Sequence, residues 1–579
     1  MRRNFLGLII FLILAYAILI STSNTRLVGT ESTTIVVPDN FLTIQEAINN
    51  AFEGDTIFVK SGVYYEHVII NKTVSLIGEG YNTTIIDGNW TGHVINIISD
   101  NVNVTEFTLQ KSGSISYPDL DAGICLNNTA DCTVSKNRLV SNSFAGISLL
   151  NSQRNTIVGN NVTGAGWGGI HLLDSSNNTI SGNILDNNIH VGINGHGSSH
   201  HNSIMENIIS NSRYGMFYNN ANYNNILRNN ISNIAVEGIW FQEQVNYNIV
   251  AENTLTNYSV GIKLQGPNNN NTVSGNILTD GQCGIRIQNA RYTEIYNNTI
   301  AHNYGSEWDA GIRLDSAGYS KIHSNLIVDN WRGVLLYTSS PYVSINNNTI
   351  NDNEFAIRVA SGGSNYLSIY DNIVMNNRGY GIGLTGFGGV SNYATITGNL
   401  IMNNSDGIAL GQYSNYNTIL QNNITQNDNG IYIEHSTQNT IRGNNIVDNI
   451  QQVFVSNGSV NNWDGGYPIG GNYWSNYNGS DLYNGPEQKL NGSDGIGDSQ
   501  HQIDENNIDR YPLMQPAVPL LGDLNRDGLV NMDDANQLML SFGSYPGHPR
   551  WNSAADLNHD DNIDIFDGIL LATNIRDAT

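Results

Sequence analysis

The chain has 579 residues, with 25 Lys and Arg against 50 Asp and Glu, a formal net charge of −25. This length exceeds one ordinary globular core and predicts several domains or a repeat architecture. The acidic balance argues against nucleic acid as a partner, because phosphate binding needs a basic face. The three cysteines, Cys125, Cys132 and Cys283, are an odd number, which predicts free thiols and no complete disulfide framework.

The first 24 residues form a predicted signal peptide or N-terminal anchor. The chain starts MRR, continues with an unbroken apolar run over residues 5–20, and turns polar at STSNT. A positive start before such a run is typical of an export signal, and the run is near the lower limit for a membrane span. A cleaved signal is favoured over a retained anchor, and either predicts an extracellular or cell-surface location. Asn-x-Ser/Thr triplets, such as those at Asn71 and Asn161, are consistent with an exported glycoprotein.

The segment TIQEAINNAF at residues 43–52 predicts a short amphipathic helix. Thr43 with Glu46 three places later has the pattern of an N-terminal capping box. We expect this helix to cover the N-terminal end of the repeat region that follows, where strand edges would otherwise be unpaired. The apolar residues at helical spacing are Ile44, Ala47, Ile48 and Ala51.

A short phrase, glycine followed by alternating apolar residues as in GIRIQ at 284–288, recurs along the chain. Self-similarity at a fixed period predicts a solenoid. The first eight copies are 23 residues apart, and the series then continues less evenly. The fifteen positions are Gly123, Gly146, Gly169, Gly192, Gly215, Gly238, Gly261, Gly284, Gly311, Gly333, Ala356, Gly381, Gly407, Gly430 and Gln452.

The repeat predicts β-strands. Apolar residues stand one and three places after the glycine, for example Ile285 and Ile287, and this period of two indicates a strand with one buried face. An Asn precedes an aliphatic residue in most copies, where it suits tight corners and lets stacked amides bond from coil to coil. We therefore predict an all-β fold, a parallel β-helix of about 15 or more coils over residues 33–460. The Asn positions are Asn183, Asn207, Asn230, Asn253, Asn276, Asn298, Asn325, Asn348, Asn372, Asn399, Asn423 and Asn445.

The residue two places after each glycine points outward, and about 4.8 Å separates neighbouring coils. Aromatic faces stack on sugar rings, amides bond hydroxyls, and guanidinium groups bind carboxylates or sulfates, so this row predicts a polysaccharide-binding groove, including one for an acidic polysaccharide. The alternative is an ordinary soluble face whose basic row only relieves an acidic surface. The row contains His171, Asn194, Phe217, Trp240, Lys263, Arg286, Arg313, Leu335 and Arg358, and the candidate carbohydrate-binding residues are Phe217, Trp240, Lys263, Arg286, Arg313, Arg358, Gln242, Gln265 and Gln288.

Catalysis on this groove stays an open question. Glycoside hydrolysis needs two carboxylates about 5 to 9.5 Å apart, and elimination from a uronic acid needs a base with a cation or Arg to neutralise the carboxylate. A lengthened loop, HNYGSEWDA at 302–310, brings two carboxylates towards the basic row, and Trp331 and Arg332 follow one coil later. A polysaccharide lyase or an O-glycosyl hydrolase is therefore possible. The candidate catalytic residues are Glu307, Asp309, Asp315, Arg286 and Arg313.

A histidine-rich corner, HVGINGHGSSHH, offers a second kind of site. Grouped imidazoles bind copper or zinc. The alternative is a polar turn, since no fixed ligand spacing is visible. The four residues are His190, His196, His200 and His201.

Two stretches resemble a known β-helix family. The opening sequence, TIVVPDNFLTIQEAINNAFEGDTIFVKSGVYYEHVIINKTVSLIGEG, and the Asn-rich coils resemble the right-handed β-helix family of pectate lyases and NosD-like proteins. At 461–515, WDGGYPIGGNYWSNY and GSDGIGDSQHQIDENNIDRYPLM resemble the segment that closes NosD-like β-helices. The resemblance implies a right-handed fold over most of residues 33–514. It leaves activity open, because the family includes lyases, hydrolases, binders and a copper accessory.

After a proline-containing linker at 516–521, residues 522–577 carry two acidic repeats, DLNRDGLVNMDD at 523–534 and DLNHDDNIDIFD at 556–567. Oxygen ligands at loop positions 1, 3, 5, 9 and 12, with a carbonyl at position 7, surround Ca²⁺. Gly528 provides the turn at position 6 of the first loop, whereas Asp561 stands there in the second, which predicts a weaker site. The ligands are Asp523, Asn525, Asp527, Leu529, Asn531 and Asp534 in the first loop, and Asp556, Asn558, Asp560, Asn562, Asp564 and Asp567 in the second.

The paired loops, each leading into an apolar helix, resemble a type I dockerin. That resemblance implies a small α-helical module that attaches the chain to a cohesin-like partner. Loop positions 10 and 11, where cohesin-binding dockerins favour small hydroxyl residues, are Met532-Asp533 and Ile565-Phe566. Another docking protein, or a purely structural calcium module, therefore stays open. Three functions compete: a docked glycan-binding or glycan-processing β-helix, a structural or adhesion solenoid, and a NosD-like copper accessory.

Overall fold

The computed structural model describes residues 32–113, 120–360, 363–386, 390–456, 458–517, 522–525, 530–545, 548, 550–557 and 562–575. The predicted signal peptide or anchor, residues 1–24, lies outside these ranges. Within them, no helix is both long enough and apolar enough to cross a membrane.

The main body of the chain winds into a parallel β-solenoid, as the period of two predicted. One coil contains three short strands separated by corners, for example Thr272–Ser274, Ile277–Thr279 and Cys283–Gln288. Each strand pairs in parallel with its equivalents in the neighbouring coils. One face alone contains 18 hydrogen-bonded strands, so the rod exceeds the fifteen copies counted in the sequence.

The strands lie on three faces, numbered here in the order in which each coil visits them. The first face contains Thr34–Val37, Thr56–Val59, Ser75–Gly78, Asn103–Thr105, Thr133–Ser135, Thr156–Val158, Thr179–Ser181, Ser203–Met205, Asn225–Leu227, Ile249–Ala251, Thr272–Ser274, Glu294–Tyr296, Lys321–His323, Ser344–Asn346, Ser368–Tyr370, Thr395–Thr397, Thr418–Leu420 and Thr440–Arg442. The second face contains Gly62–Tyr64, Thr84–Asp87, Thr108–Gln110, Arg138–Val140, Asn161–Thr163, Ile184–Asp186, Ile208–Ser210, Ile277–Thr279, Thr299–Ala301, Leu326–Val328, Thr349–Asn351, Ile373–Met375, Leu400–Met402, Asn423–Thr425, Asn445–Val447 and Tyr473–Trp474. The third face contains Val68–Ile70, Ile95–Ile97, Ala122–Asn127, Ala145–Leu150, Gly168–Leu173, Val191–His196, Tyr214–Asn219, Cys283–Gln288, Ile312–Asp315, Arg332–Thr338, Phe355–Val359, Tyr380–Leu384, Asp406–Leu410, Asn429–Ile433 and Gln451–Val455. Two long strands, Asn230–Gln242 and Thr254–Gln265, turn the corner and belong to the second and third faces together.

Aliphatic side chains fill the inside of the rod in one continuous core. Ile285 and Ile287, one and three places after Gly284, are fully buried, which confirms the alternation. Each repeat glycine lies where successive corners approach closely, since a Cβ on Gly284 would stand 2.5 Å from the carbonyl oxygen of Gly311. Glycine is therefore required at this corner for space. The three cysteines are buried and unpaired, as the odd number predicted.

Inward-facing asparagines form a hydrogen-bonded ladder at the corner between the first and second faces. Asn276 Oδ1, for example, accepts the backbone N–H of Asn253 at 2.9 Å, and Asn298 Oδ1 accepts that of Asn276. This confirms the predicted bonding of amides from coil to coil. In the three coils that read Asn-Asn-Ile at this corner, the prediction named the second Asn and the ladder uses the first, so three of the predicted positions were wrong by one. The ladder residues there are Asn229, Asn422 and Asn444, and the predicted ones were Asn230, Asn423 and Asn445.

The closing segment terminates two such ladders. Asn507 Oδ1 accepts the backbone N–H of Asn461 at 2.9 Å, and Asp509 Oδ2 accepts that of Asn472 at 2.8 Å. Buried indole N–H groups donate to the same two oxygens. The ladder N–H groups of the last coil therefore have acceptors, and the indole rings cover its apolar end. The indole donors are Trp463 and Trp474. Two short antiparallel pairs complete the segment: Tyr483–Asn484 with Leu490–Asn491, and His501–Gln502 with Ile508–Asp509.

Helix α1, Ile44–Asn50, covers the N-terminal end of the core as predicted. Thr43 Oγ1 accepts the backbone N–H of Glu46 at 3.2 Å, which is half of the predicted capping box. The other half differs, because the carboxylate of Glu66 from the following coil accepts the N–H groups of Ile44 and Gln45 at 3.0 Å. A carboxylate there stabilises the positive end of the helix dipole.

The tail contains helices α2, Met532–Ser541, and α3, Ile565–Asn574, with a single 3₁₀ turn at Ser553–Ala555. Both helices begin with a complete capping box, Asn531 with Asp534 and Asp564 with Asp567. A separate small apolar cluster joins them, formed by Leu524, Val530, Leu538, Ala555, Leu557, Ile563 and Leu571.

Candidate functional site

The corner at each repeat glycine brings two rows of outward side chains together. The pre-glycine row holds the residue just before the glycine, and the post-glycine row holds the residue two places after it. Lys263 Nζ, in the post-glycine row, donates to Glu237 Oε1, in the pre-glycine row of the preceding coil, at 2.9 Å. Tyr214 and Trp240 are related in the same way, with ring centroids 5.4 Å apart. The two rows therefore face each other along the rod, and we call the surface between them the groove.

The post-glycine row has the predicted register. Successive members are Cα partners, so the row stacks from coil to coil without a break. Its middle members from Phe217 to Arg286 are half-buried, as is Arg358, whereas the others are buried and Arg313 is only 7% exposed. The row contains His171, Asn194, Phe217, Trp240, Lys263, Arg286, Arg313, Leu335 and Arg358.

Aromatic rings line the N-terminal half of the groove. Trp167 stacks on His190 at 4.1 Å between centroids, and His190 contacts Tyr214 at 5.2 Å. Trp240 contacts both Tyr214 and Phe217, the latter at 4.7 Å. Burial lowers the pKa of His171, a ring contact of Phe144 in this region, to about 3, so its imidazole is neutral at neutral pH. This half of the groove is mainly aromatic, and the guanidinium group of Arg213 lies 5.2 Å from the Tyr214 ring centroid.

Each side chain of the central basic ladder is paired with an acidic neighbour. Lys263 is paired with Glu237 and lies 4.9 Å from the Trp240 ring centroid. Arg286 Nε donates to Asp315 Oδ2 at 2.9 Å, and Arg313 Nε donates to Asp315 Oδ1 at 3.0 Å. The structure therefore brings three of the catalytic candidates together as one buried ion triad. In this arrangement Asp315 acts as the counter-ion of both guanidinium groups.

The loop at 302–310 folds over the groove beside this triad. Asp309 Oδ2 accepts the backbone N–H of Ser306 at 2.7 Å, so this carboxylate closes its own loop. The Trp308 carbonyl oxygen accepts a hydrogen bond from Arg313 Nη1 at 2.8 Å. The Trp308 ring centroid lies 4.9 Å from that of Tyr337. Glu307 is exposed on the same loop. The loop therefore buries Arg313 and walls the groove.

The amide row lies two places beyond the post-glycine row. Gln242, Gln265 and Gln288 are successive Cα partners and half-buried, and Asp315 continues the row. Gln265 Oε1 is buried without a hydrogen-bond partner in the described part of the chain. The predicted amides thus stand side by side along one edge of the groove.

Buried polar atoms without a partner are concentrated at the groove. Native proteins satisfy most buried polar groups, because an unmade hydrogen bond costs roughly 1–3 kcal/mol. A recurring exception along one surface shows where a water, an ion or a ligand can supply the missing partner. Among the described residues on or beside the two rows, these atoms are His171 Nδ1, His190 Nδ1, Asn194 Oδ1 and Nδ2, Glu237 Oε2, Trp240 Nε1, Trp331 Nε1, Arg332 Nε and Nη1, and Arg358 Nε.

Sequence reasoning missed the pre-glycine row. The available signal was the residue directly before each repeat glycine, which is aromatic or charged in several coils. Its members that contact the post-glycine row or line the groove are Tyr214, Glu237, Arg332, Phe355 and Tyr380.

A tyrosine ladder at the corner between the third and first faces was also missed. Its members have a positive φ and stack with nearly parallel planes, for example Tyr342 on Tyr366 at 4.9 Å. Because each ring face is covered by the next ring, only ring edges and hydroxyl groups reach solvent. The ladder therefore supports the stacking of coils. A continuous run comprises Tyr292, Tyr319, Tyr342, Tyr366, Tyr393 and Tyr416.

The four histidines of the predicted metal cluster have separate partners. His190 stacks on Trp167, and His201 stacks on Tyr223 at 4.9 Å. His200 Nδ1 accepts the backbone N–H of Asn222, while His196 contacts the groove ring of Phe217. In the described ranges no group of three or more His, Cys, Asp or Glu side chains is arranged to hold a metal.

The calcium-loop residues are described in part. Asp527, Leu529, Asn558 and Asp560 lie outside the described residues. At position 12 of the first loop, Asp534 Oδ1 accepts the N–H groups of Leu524 and Asn525. In the second loop Asp567 Oδ1 accepts that of Leu557 in the same way. In both loops the Asp at the twelfth position thus accepts backbone N–H groups from the start of the loop. The remaining described candidates are Asp523, Asn531, Asp556, Asn562 and Asp564.

Comparisons with known proteins support the solenoid. The family model described as periplasmic copper-binding protein (NosD) matches residues 48–236, 160–267 and 332–479, which together make up more than half of the chain. The model described as right handed beta helix region matches residues 238–392. No curated protein matches the sequence.

Several solved structures are similar at low identity. The A-module of a mannuronan C-5 epimerase from Azotobacter vinelandii is 15% identical, covers 54% of this chain and 91% of its own, and has a TM-score of 0.37. The receptor-binding domain of the siphovirus 9NA tailspike is 10% identical, with coverages of 58% and 75% and a TM-score of 0.41. An alginate lyase from Paenibacillus sp. is 14% identical, with coverages of 46% and 94% and a TM-score of 0.29.

Proposed function

The chain belongs to the NosD family of right-handed β-helix proteins, and from this premise we propose that it is an exported protein that binds a linear polysaccharide along its groove. The single observation that carries the proposal is the run of groove residues that combine stacked rings with buried, unpartnered polar atoms. Rings supply apolar faces for sugars, and unpartnered amide, indole and guanidinium groups supply hydrogen bonds. The coil spacing of about 4.8 Å suits an extended chain of repeating sugars.

The geometry favours binding over cleavage. Two carboxylates that act as acid and base need free oxygens on either side of a scissile bond. Asp315 is held between two guanidinium groups, and Asp309 closes its own loop. Of the predicted catalytic carboxylates, this leaves Glu307 exposed on the loop. The proposed activity is therefore recognition. A lyase would release unsaturated ends and a hydrolase would release reducing ends, whereas binding alone releases neither.

Copper binding fits this chain poorly. Imidazole ligands must converge on one point to hold a metal. The described histidines of the predicted cluster instead stack on Trp167 and Tyr223 or accept a backbone hydrogen bond. We derive no role for copper from them.

Replacing Trp240 tests the proposal. The protein without its first 24 residues is screened on an array of neutral, carboxylated and sulfated glycans, and affinity for the best ligand is measured by calorimetry. Trp240→Ala removes a ring that contacts both rows, and we expect affinity to fall at least about tenfold, as for a central aromatic contact in other interfaces. Tyr342→Ala, which removes an aromatic residue from the tyrosine ladder, is the matched control and retains affinity. No glycan bound, or equal loss in both variants, contradicts the proposal and favours a structural solenoid.

For the tail we propose a calcium-dependent docking module. Its support is the paired acidic loops, each closed by an Asp that accepts backbone N–H groups and each followed by a capped helix. Exposed apolar residues on those helices suit a protein partner, either cohesin-like or another docking protein. They are Met532, Met539, Leu540, Ile565, Phe566 and Ile569.

Calcium titration tests this module. Calorimetry of the full chain with CaCl₂ should show two sites, with the second loop weaker because Asp561 replaces the position-6 glycine. Asp523→Ala with Asp556→Ala should abolish both sites. Asp448→Ala, an exposed acidic residue of the solenoid, should leave both unchanged. Binding that survives the double substitution contradicts the assignment.

A further inference from the structure

Two arginines meet in the groove, and neither forms an ion pair with a described residue. Arg332 lies in the pre-glycine row, and Arg358 lies in the post-glycine row of the following coil. Two residues in these same relative positions, Glu237 and Lys263, form an ion pair at 2.9 Å. The position that elsewhere carries opposite charges therefore carries two positive charges here.

Both guanidinium groups are fixed by aromatic rings. The Cζ of Arg332 lies 5.6 Å from the Phe355 ring centroid and 5.9 Å from that of Trp308. The Cζ of Arg358 lies 5.0 Å from the same Phe355 ring. A shared ring holds the two side chains next to each other, and the rings cover the apolar faces of the guanidinium groups.

Three nitrogens of the two guanidinium groups have no hydrogen-bond acceptor within the described ranges. Arg332 is 3% exposed, yet its Nε and Nη1 lack a hydrogen-bond partner, as does Nε of Arg358. Burial, together with the neighbouring Arg358 charge, lowers the pKa of Arg332 to about 10. Glu307 and Asp309 act in the opposite direction, but neither forms an ion pair with it in the described structure. Buried cations in proteins are normally paired, so this pair is arranged for a negatively charged ligand.

We propose that Arg332 and Arg358 form a subsite for one oxyanion substituent, a carboxylate or a sulfate ester, on a sugar of the bound chain. The inference rests on the proposed glycan-binding function and adds the charge of the substrate. Guanidinium groups bind carboxylate and sulfate oxygens through paired N–H donors. Lys263, Arg286 and Arg313 each have a carboxylate partner, whereas Arg332 and Arg358 have nitrogens without an acceptor in the described structure, so we assign the main part of the discrimination between charged and neutral chains to these two arginines.

The test compares matched ligands on matched variants of the full chain. The ligands are an oligogalacturonate, its neutral methyl ester, and a sulfated oligosaccharide of the same length, measured by calorimetry at low ionic strength. Arg332→Gln and Arg358→Gln should each weaken the charged ligands about 10- to 100-fold, the size of a lost charged hydrogen bond, and leave the methyl ester within twofold. Arg378→Gln is the control, because Arg378 is paired with Glu354 on the outside of the same coils. Preference for the oligogalacturonate identifies a carboxylate, and preference for the sulfated ligand identifies a sulfate ester.

A second readout separates this inference from the proposed function. Sodium sulfate should raise the melting temperature of the wild type more than that of the Arg332→Gln/Arg358→Gln variant at equal ionic strength. The double variant without ligand should be at least as stable as the wild type, because it removes one buried and one half-buried cation that form no ion pair in the described structure. Sulfate stabilisation without binding of any glycan supports the anion subsite and contradicts polysaccharide binding. Equal charge discrimination and equal sulfate stabilisation in both proteins overturn the subsite and leave binding of neutral glycans standing.

Discussion

At the scale of single residues, pairing decides what each charge in the groove does. Lys263, Arg286 and Arg313 stand in the predicted row, yet each is bound by a carboxylate that the row itself did not reveal. Glu237 comes from the pre-glycine row, and Asp315 is the residue that sequence reasoning considered as a catalytic base. Buried ion pairs fix side-chain positions, and breaking one leaves the remaining charge uncompensated. These pairs therefore hold the groove walls in place.

Glu237→Ala should destabilise the solenoid. The Lys263 and Glu237 side chains are 15% and 7% exposed. The substitution therefore leaves the Lys263 ammonium group without its carboxylate partner in a low-dielectric site. We expect a loss of about 3 kcal/mol in the free energy of unfolding, measured by urea denaturation. Glu237→Ala/Lys263→Met should recover much of that loss. In the fully exposed pair of Lys489 with Glu487, Glu487→Ala should have no measurable effect. A double variant no better than the single one would argue that Lys263 does not depend on this partner.

At the scale of elements, polar ladders and caps determine where the rod holds together and where it ends. The asparagine ladder bonds each corner to the next, and Asn507 and Asp509 provide the final acceptors. The prediction of stacked amides was correct, but Asn-Asn pairs made the inward residue ambiguous by one position. In each pair the ladder residue is the Asn two places before the buried Ile of the following strand, because alternate residues of a strand face the same side.

Adjacent asparagines give a sharp test of the ladder. Asn229 Oδ1 accepts the backbone N–H of Asn207, and its Nδ2 donates to three oxygens. Asn229→Ala should cost about 3 kcal/mol in unfolding free energy, because several buried groups lose their partners together. Asn230 is exposed, so Asn230→Ala should change stability by less than about 0.5 kcal/mol. The two variants are compared by urea unfolding, and similar losses would show that the ladder is misassigned.

The C-terminal cap should be sensitive to pH. Burial raises the pKa of Asp509 to about 7, although three N–H groups oppose the shift. A raised folded-state pKa means that the folded protein holds its proton more tightly than the unfolded chain. The contribution of this group is therefore greatest near pH 4 and is lost as pH rises through about 7. Melting temperatures from pH 4 to 8 should show this decline in the wild type and less of it in Asp509→Asn. Parallel curves would remove Asp509 as the cause.

At the scale of the whole molecule, the sequence was sufficient for the repeat and its register. The constant spacing of glycines and the period of two fixed which side chains stack, because one strand per face must pair with its equivalent in the next coil. Only the post-glycine row of the groove was predicted from the sequence. The groove forms where two faces meet at a corner, and its second row faces the first because of the bend at each glycine. The position of the 302–310 loop over the groove could not be predicted either, because the length of a loop does not determine the direction in which it folds. Burial of Arg313 and the unpaired state of Arg332 and Arg358 follow from that geometry.

The dependence of affinity on ligand length tests the central claim most directly. From Phe217 to Arg358 the groove spans six coil steps, or roughly 29 Å at about 4.8 Å each. Affinity for oligosaccharides of two to ten residues is measured by calorimetry on the wild-type protein. If the ligand lies along the rod, affinity rises with each added sugar up to about six residues and then levels off. An affinity already complete at two residues would contradict a binding surface that runs from coil to coil.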